Sequence, residues 1–397
     1  MSKPLAPIEH PFESVALLLQ GGGALGAYQA GVYEALSEVG IEPDWVAGIS
    51  IGAVNAAIIA GNPPGSRIRQ LRAFWEQITD ATLGSLASYF LEGHRIDHNS
   101  LGLLNRFGAF EALFGGAPGF FKPRLSIWGA TSYYDTTPLK ATLEKYVDFD
   151  RINAKEMRFS VGAVDVKTGN FTYFDTETYE PKIRAEHVMA SGALPPGFPA
   201  VEIDGDWFWD GGLVSNTPLQ WVFDNATCRD TLAFQVDLWS ARGELPADLN
   251  GVAVRQKEIQ YSSRTRAITD QLKRLQTVRA AIAKLLKEAP EAVRQSEEGR
   301  LVAEFADPKD YNVVQLIYRT APYELDSKDY NFSRHSMLEH WRAGRADAHR
   351  ALRHKEIFER PTTPEESFRT FDFNGASHSD QSGPILGKRA APMPKPR

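Results

Sequence analysis

The chain has 397 residues, of which 43% are hydrophobic and 24% are charged, a composition that is ordinary for a soluble globular protein. Its formal net charge of -6 argues against nonspecific nucleic-acid binding by the whole protein. Cys228 is the only cysteine, which excludes an internal disulfide framework and suits a reducing cytosol.

Residues 1–13 form an N-terminal segment in which no apolar run follows Lys3 and two prolines, so we expect no signal peptide. The longest apolar runs of the chain fall well below the roughly 18 residues of a membrane span. We therefore expect a cytoplasmic protein, with peripheral contact to a membrane surface left open.

The first 61 residues alternate between strand and helix patterns. Continuous apolar runs predict buried strands at residues 14–20 and 45–49. Small and apolar residues at helical spacing predict helices at 27–39 and 51–60. Such alternation predicts an α/β fold whose parallel strands are joined by crossover helices.

The middle of the chain is less regular. After a predicted helix at 66–80, phenylalanines and glycines mix between 107 and 121, which would suit either a mobile apolar lid or an irregular segment packed on the core. Regular patterns then predict a helix at 138–146, a strand at 159–165 with a hairpin to 171–174, a helix at 184–190 and a strand at 231–238.

Residues 255–294 are predicted to form a long basic amphipathic helix. Its apolar stripe consists of Ile268, Leu272, Leu275, Val278, Ile282 and Leu285. The stripe could pack on the core and leave a solvated basic face, or the helix could bind an anionic membrane. A strand at 312–319 and a helix at 333–355 follow, and the proline-rich residues 361–397 are predicted to be disordered.

Ser50 is the candidate nucleophile, because it is the serine of a G-x-S-x-G pattern that follows a predicted strand and opens a predicted helix. In such an elbow a sharp turn lifts the serine side chain, and the flanking glycines avoid clashes. The helix N-terminus favours negative charge at this point. The pattern consists of Gly48, Ile49, Ser50, Ile51 and Gly52.

A glycine loop between the first strand and its helix is a candidate oxyanion hole, since glycines there expose backbone N–H groups toward a common point. The predicted hole consists of Gly21, Gly22, Gly23, Ala24 and Gly26. The same loop fits the dinucleotide pattern G-x-G-x-x-G. That alternative needs an acidic residue at the end of the next strand, where this chain has Ile49 and Ser50, and Asp44 precedes the strand.

Asp210, with Gly211 and Gly212, forms the third candidate element. The preceding Trp207-Phe208-Trp209 would bury its approach, and burial would raise the pKa of the carboxyl above its ordinary value of about 3.9. Such a carboxylate could serve as a base, although Asp-Gly-Gly alone would also suit a plain turn.

Taken together, these motifs resemble the patatin-like phospholipase family. They occur in that family's order, and residues 191–199 and 211–218 also resemble its loops around the aspartate. The resemblance covers residues 14–240, the expected catalytic domain, and implies a three-layer sandwich with a central, mostly parallel sheet. Residues 241–360 resemble a helical C-terminal extension of some bacterial members, and 361–397 would be the tail.

The resemblance implies a Ser-Asp dyad that cleaves lipid acyl esters through an acyl-enzyme, with neither metal nor cofactor. Ser50 would attack the acyl carbonyl, and Asp210 would take its proton and later activate water. Backbone amides around Gly22, Gly23 and Ala24 would hold the oxyanion. Many bacterial members have a basic residue where this chain has Leu25, so a phosphate contact from that position is missing.

Several alternatives remain open at this point. A Ser-His-Asp triad would need His335 or His340, and a metal site would need His94 and His98 at helical i, i+4 spacing. The substrate could instead be a short acyl ester or a hydroxyalkanoate oligomer, and a non-catalytic lipid-binding module is the alternative from another class. The late helix and the extension would also suit a homodimer.

Overall fold

The computed structural model describes residues 7–79, 116–124, 128–226, 230–246, 248–319 and 329–373. Most of the predicted phenylalanine-rich loop, including residues 107–110, lies outside these ranges. So do His94, His98 and Cys228.

The secondary structure within these ranges alternates as the sequence predicts. The strands are β1 (Ser14–Leu19), β2 (Trp45–Gly48), β3 (Lys122–Pro123), β4 (Tyr134–Asp135), β5 (Arg158–Asp165), β6 (Phe171–Asp175), β7 (Val201–Ile203), β8 (Asp206–Asp210), β9 (Thr231–Asp237), β10 (Tyr311–Ile317) and β11 (Phe368–Phe371). The helices are α1 (Ala27–Glu38), α2 (Ile51–Ala60), α3 (Pro64–Thr79), α4 (Thr137–Tyr146), α5 (Phe149–Asn153), α6 (Ala185–Ser191), α7 (Leu219–Asn225), α8 (Leu249–Glu288), α9 (Glu291–Arg294), α10 (Glu297–Ala303) and α11 (Arg334–Ala351).

One large sheet organises these elements. Its strand order is β11-β10-β9-β1-β2-β5-β8-β7, and β6 pairs with β5 outside this path. The strands from β11 to β5 are parallel to their neighbours, whereas β6, β7 and β8 pair antiparallel. The predicted α/β fold with a mostly parallel sheet is therefore confirmed.

Helices cover both faces of this sheet. Alternate residues of a strand point to opposite faces, and along β1 Leu17 and Leu19 pack in the same core as α1, α2, α3 and α11. Ala16 and Leu18 instead pack in a second core with α7 and with Leu272 of α8. The arrangement is helix, sheet, helix, and these three layers match the predicted sandwich.

The C-terminal residues continue the same sheet. β10 pairs in parallel with β9 along its whole length, so the predicted domain boundary at residue 240 falls inside one continuous sheet. Predicted disorder from residue 361 is wrong for residues 361–373, because β11 pairs with β10 and Phe368 is fully buried against Phe223 and Tyr311. Residues after 373 lie outside the described ranges.

The long helix α8 packs part of its predicted apolar stripe on the core, whereas Val278 and Leu285 of that stripe are exposed. Leu272 is buried, and Ile268 and Leu275 lie against the same core. The helix begins at Leu249 and ends at Glu288, earlier than predicted, because the backbone bends before Pro290. Among the described helices none is long and apolar enough to span a bilayer.

Candidate active site

Ser50 occupies a sharp turn between β2 and α2. Its φ of 56° lies in the left-handed region, which non-glycine residues adopt at a cost of about 1–3 kcal/mol. The flanking glycines have no room for a side chain: a Cβ at Gly48 would lie 2.3 Å from the Gly52 carbonyl oxygen, and one at Gly52 would lie 2.2 Å from that of Leu19. Close backbone packing therefore fixes this turn and presents the Ser50 side chain at the N-terminus of α2.

Ser191, the last residue of α6, holds the turn from the other side. The Ser50 N–H donates to the Ser191 hydroxyl at 3.0 Å, and that hydroxyl donates to the Gly162 carbonyl at 2.6 Å. The Ser191 side chain thus links the elbow to β5. Because the Ser50 N–H has this partner, it is not a free donor for a substrate oxygen.

Strand register brings Asp210 to the same place. Gly48, the last residue of β2, pairs with Val161 of β5. Two residues further along β5, Ala163 pairs with Asp210 of the antiparallel strand β8. Both strands lie on the same side of β5, since β6 occupies its other side at Ala163. The ends of β2 and β8 therefore face each other, roughly 7 Å apart along β5.

Asp210 is buried, with 2% of its surface exposed. Its Oδ1 accepts a hydrogen bond from the Gly212 N–H at 2.7 Å, and the Ser50 side chain lies close enough to favour its charged form. Burial raises the pKa of Asp210 to about 7, although the Gly212 N–H and the Ser50 side chain favour the charged form. The carboxyl can therefore change its protonation state near neutral pH, as a general base must.

The glycine loop lies directly against Ser50. A Cβ at Gly21 would lie 3.0 Å from the Ser50 Cβ, and Gly23 has a φ of +56°. The Ala24 N–H donates to the Asp329 carbonyl at 2.8 Å, so it is occupied. In the described part of the chain no acceptor takes the amides of Gly22 and Gly23. The Gly21 amide has no acceptor there either, so the amides of Gly21, Gly22 and Gly23 could each bind a substrate oxygen.

Polar side chains fix the start of this loop. The Gly21 carbonyl accepts hydrogen bonds from Asn216 Nδ2 at 3.1 Å and from Trp239 Nε1 at 2.9 Å. Gln20 is fully buried, and its Oε1 accepts from the Leu238 N–H at 2.6 Å. Asn216 also lies close to Gly212, where a Cβ would be 3.0 Å from its Oδ1. It therefore connects the glycine loop with the Asp210 turn.

A buried polar chain supports the far end of the loop. Asn55 of α2 donates to the Gly26 carbonyl at 2.9 Å and to Gln29 Oε1 at 2.9 Å. Trp75 of α3 donates to Asn55 Oδ1 at 3.0 Å. Gln29 in turn donates to the Gln20 carbonyl at 2.7 Å. Buried polar groups that are mutually satisfied in this way hold a rigid backbone.

Leu25 is fully buried in the core below the loop. Its side chain therefore serves packing, and the position that is basic in many bacterial family members offers no charge here.

The histidines of the alternative triad have other partners. His335 Nε2 lies 3.3 Å from Glu339, and the His340 ring packs edge-on against Tyr318 at 5.2 Å. Burial raises the pKa of Asp210, Gly212 and Ser50 oppose that rise, and neither histidine contributes to it. The described residues also contain no group of three or more His, Cys, Asp or Glu that could hold a metal ion.

An aromatic cluster surrounds part of the loop that follows α6. The loop after α6 approaches Asp210, since the Asp210 N–H donates to the Ala193 carbonyl at 3.0 Å. Phe198 of this loop packs against Phe120 and Phe121, at centroid distances of 6.3 and 5.3 Å. Phe332 contacts the same two rings. Phe120, Phe121 and Phe332 are buried, and Phe198 is partly exposed. A separate surface cavity of about 460 Å³ lies around Asn62, Tyr146 and Asp148, beyond the other end of α2.

The roles of Ser191, Asn216 and Asp329 were not predicted from the sequence. Ser191 and Asn216 occur in the two stretches that resemble the family's loops, which was the available signal. Asp329 carries no motif, and its contact with Ala24 follows from the three-dimensional packing alone.

Comparisons with known proteins match both halves of the chain. A family model described as "Patatin-like phospholipase" matches residues 17–222, and a second model, described as "Patatin phospholipase", matches residues 259–364. The cGAMP-activated phospholipase of Pseudomonas aeruginosa is 29% identical over 216 residues, which cover 51% of this chain and 53% of that protein.

Two further similarities are more limited. Lysophospholipase nte1 of Aspergillus terreus is 35% identical over 103 residues, 24% of this chain and 6% of that protein. The chain thus spans a small part of this relative and about half of the bacterial one. The solved structure of VipD from Legionella pneumophila matches with a TM-score of 0.37 and 14% identity, over 88% of this chain and 67% of that one.

Proposed function

Because the chain belongs to the patatin-like phospholipase family, we propose that it is a serine hydrolase that cleaves lipid acyl esters with Ser50 as nucleophile and Asp210 as base. The observation that best supports this proposal is the buried Asp210 carboxylate, whose charged form the neighbouring Ser50 side chain favours, beside a strained elbow.

In the first half of the reaction the Ser50 hydroxyl transfers its proton to Asp210 as its oxygen attacks the acyl carbonyl carbon. The carbonyl π electrons move to the carbonyl oxygen, which then accepts hydrogen bonds from the Gly22 and Gly23 amides. The positive end of the α2 dipole favours the same negative charge. When the tetrahedral intermediate collapses, the ester C–O bond breaks, and Asp210 returns its proton to the leaving alcohol.

The second half of the reaction repeats these steps with water. Asp210 takes a proton from a water molecule, whose oxygen attacks the acyl-enzyme carbonyl in the same oxyanion hole. The Ser50–acyl bond then breaks, the fatty acid leaves, and the proton on Asp210 returns to the Ser50 oxygen. One carboxyl with a pKa of about 7 can act in both directions near neutral pH.

The substrate class is proposed from the surroundings of the dyad. Phe198, the partly exposed ring of the aromatic cluster, offers an apolar contact to an acyl chain, whereas buried Leu25 provides no cation for a phosphate. Short acyl esters and hydroxyalkanoate oligomers remain the alternative, and a non-catalytic lipid-binding module is disfavoured because both dyad residues are present.

Turnover assays test these possibilities. A panel of p-nitrophenyl esters of increasing chain length, phospholipids and lysophospholipids should reveal hydrolysis that Ser50→Ala and Asp210→Asn abolish, while His335→Gln and His340→Gln retain it. Since the Pseudomonas relative is named for activation by cGAMP, each assay is run with and without this nucleotide. Loss of activity in either histidine variant to the level of Ser50→Ala would favour a triad instead.

Membrane contact is a secondary proposal. It rests on the basic side chains of α8 and on Val278 and Leu285 of its apolar stripe, which stay exposed. Lys273 and Arg274 remain exposed on this helix and could face anionic lipid from the cytoplasm. Flotation with phosphatidylserine vesicles tests it: if Lys273→Gln/Arg274→Gln leaves binding unchanged, α8 is not the contact. Sedimentation velocity would test the proposed homodimer.

A further inference from the structure

Residues from the C-terminal half of the chain lie directly on the glycine loop. The Asp329 carbonyl accepts the Ala24 N–H at 2.8 Å. The same carbonyl oxygen lies so close to Gly23 that a Cβ there would be 2.1 Å away. The backbone of Asp329 therefore contacts the backbone of the glycine loop, and its position constrains Gly23 and Ala24.

A charged side chain of α8 fixes Asp329 in turn. Lys257 Nζ lies 2.8 Å from the Asp329 carboxylate, and the same cation lies 5.6 Å from the centre of the Tyr330 ring. About 40% of the Lys257 side chain is exposed, compared with 21% of that of Asp329. The pair therefore lies at the protein surface, directly above the loop, and connects it to a 40-residue helix.

Tyr261, about one turn further along α8, shows how close this region is to the dyad. Its backbone carbonyl accepts from Gln20 Nε2 at 3.3 Å, and its ring packs on Trp239 at 5.3 Å. Burial, followed by the negative charges of Asp210 and Asp329, raises the pKa of Tyr261 to about 12. The Tyr261 hydroxyl is therefore within electrostatic range of both the Asp210 and the Asp329 carboxylates.

We propose that Asp329 is a positioning residue for the oxyanion hole and that Lys257 holds it in place. The Asp329 carbonyl occupies the Ala24 amide and orients the loop so that the Gly22 and Gly23 amides face the acyl carbonyl on Ser50. This inference rests on the proposed function, and it gives the extension an indirect part in the reaction, through the position of the glycine loop. Oxyanion donors act at 2.7–3.1 Å, so a small shift of the loop would lower the rate.

The ion pair can be broken without touching the dyad. Lys257→Met should lower kcat for p-nitrophenyl ester hydrolysis by about 10- to 100-fold and leave KM within twofold, because the hole acts on the transition state more than on bound substrate. Asp329→Asn should lower kcat by a smaller factor. Lys257→Arg, which keeps the positive charge, should retain most of the wild-type kcat. The charge-swapped double variant Lys257→Asp/Asp329→Lys should exceed both of its single variants.

Arg294→Met is the matched control. It breaks the exposed pair between Arg294 and Glu291, whose atoms are 2.7 Å apart on α9, and it should keep full kcat. A second readout is inhibition by an alkyl trifluoromethyl ketone, whose adduct with Ser50 carries an oxyanion. Its inhibition constant should rise in Lys257→Met in parallel with the loss of kcat/KM, while the melting temperature stays close to that of the wild type.

Three outcomes would overturn the inference: unchanged kcat in Lys257→Met, a rise in kcat, or an unchanged ketone inhibition constant despite slower turnover. A rise would mean that Asp329 obstructs the hole instead of shaping it. Failure of the proposed function is distinguishable, because wild type and Ser50→Ala would then have the same turnover. Serine-dependent turnover with a normal Lys257→Met variant would reject the inference alone.

Discussion

At the scale of single residues, burial has different consequences for Asp210 and for Leu25. Burial raises the pKa of Asp210 to about 7 because water is removed from its charged form. Burial of Leu25 instead places an apolar side chain in the core, where it contributes packing. The tryptophans before Asp210 suggest from the sequence that its carboxyl is buried. How deeply Asp210 and Leu25 are buried depends on the assembled sheet.

The pKa of Asp210 predicts the pH dependence of the reaction. As the proposed base, Asp210 must be ionised, so kcat/KM should rise with pH and level off above about pH 7. Asp237 is the matched control, since it is also buried with a pKa raised to about 7, and it bonds to Gln235 and Thr217. If Asp237→Asn keeps the rise of kcat/KM up to about pH 7, the profile supports Asp210 as the titrating base. Loss of that rise in Asp237→Asn would contradict it.

The same shift predicts a stability change. The folded-state pKa of Asp210 is raised, so the folded protein holds an extra proton between about pH 4 and 7, and its stability falls as pH rises through this window. Asp210→Asn lacks this ionisation. At pH 8 its unfolding free energy should exceed that of the wild type by an amount on the order of a few kcal/mol, so its melting temperature should be higher. Near pH 4 the two melting temperatures should match. Equal melting temperatures at pH 8 would refute the shift.

At the scale of elements, local patterns predicted the strands and helices around Ser50 because each is a short stretch with its own apolar period. The pairing of β8 was not predictable in this way. Its antiparallel register with β5, which brings Asp210 to the end of β2, depends on residues far apart in the chain. The Ser191 link between Ser50 and Gly162 likewise exists only after α6 has packed on β5.

The elbow glycines provide an element-scale prediction. Gly52→Ala would place a Cβ 2.2 Å from the Leu19 carbonyl, so α2 must move away from β1, and we expect a lower melting temperature and loss of ester hydrolysis. Gly65→Ala in α3 is the control, because no atom lies within 4 Å of its Cβ position. This exposed helical site should gain up to about 1 kcal/mol from helix propensity. A fully active and equally stable Gly52→Ala would disprove the close packing.

At the scale of the whole molecule, the chain builds one sheet from both of its halves. The sequence suggested a catalytic part and an appended extension because only residues 14–240 carry the motifs. In the structure β10 and β11 extend the sheet, and α11 crosses α1 so closely that a Cβ at Gly31 would lie 2.0 Å from the Trp341 carbonyl. Long-range packing of this kind leaves no short motif in the sequence.

Truncation tests this integration. A fragment of residues 1–240 would expose the edge of β9 and the face of α1 that α11 covers, so it should be insoluble or lack a cooperative unfolding transition. Circular dichroism and ester hydrolysis of the fragment would show this, with residues 1–373 as the control that keeps every described strand. A stable, active 1–240 fragment would contradict the single-sheet account.

The central claim is that Ser50 is the nucleophile and Asp210 its base, and covalent labelling tests it most directly. A fluorophosphonate probe, followed by peptide mass spectrometry, should place the adduct on Ser50 in the folded wild-type protein. Asp210→Asn should slow labelling by roughly 100-fold or more, in the range of general-base contributions. An adduct on another serine, or unchanged labelling in Asp210→Asn, would contradict the dyad.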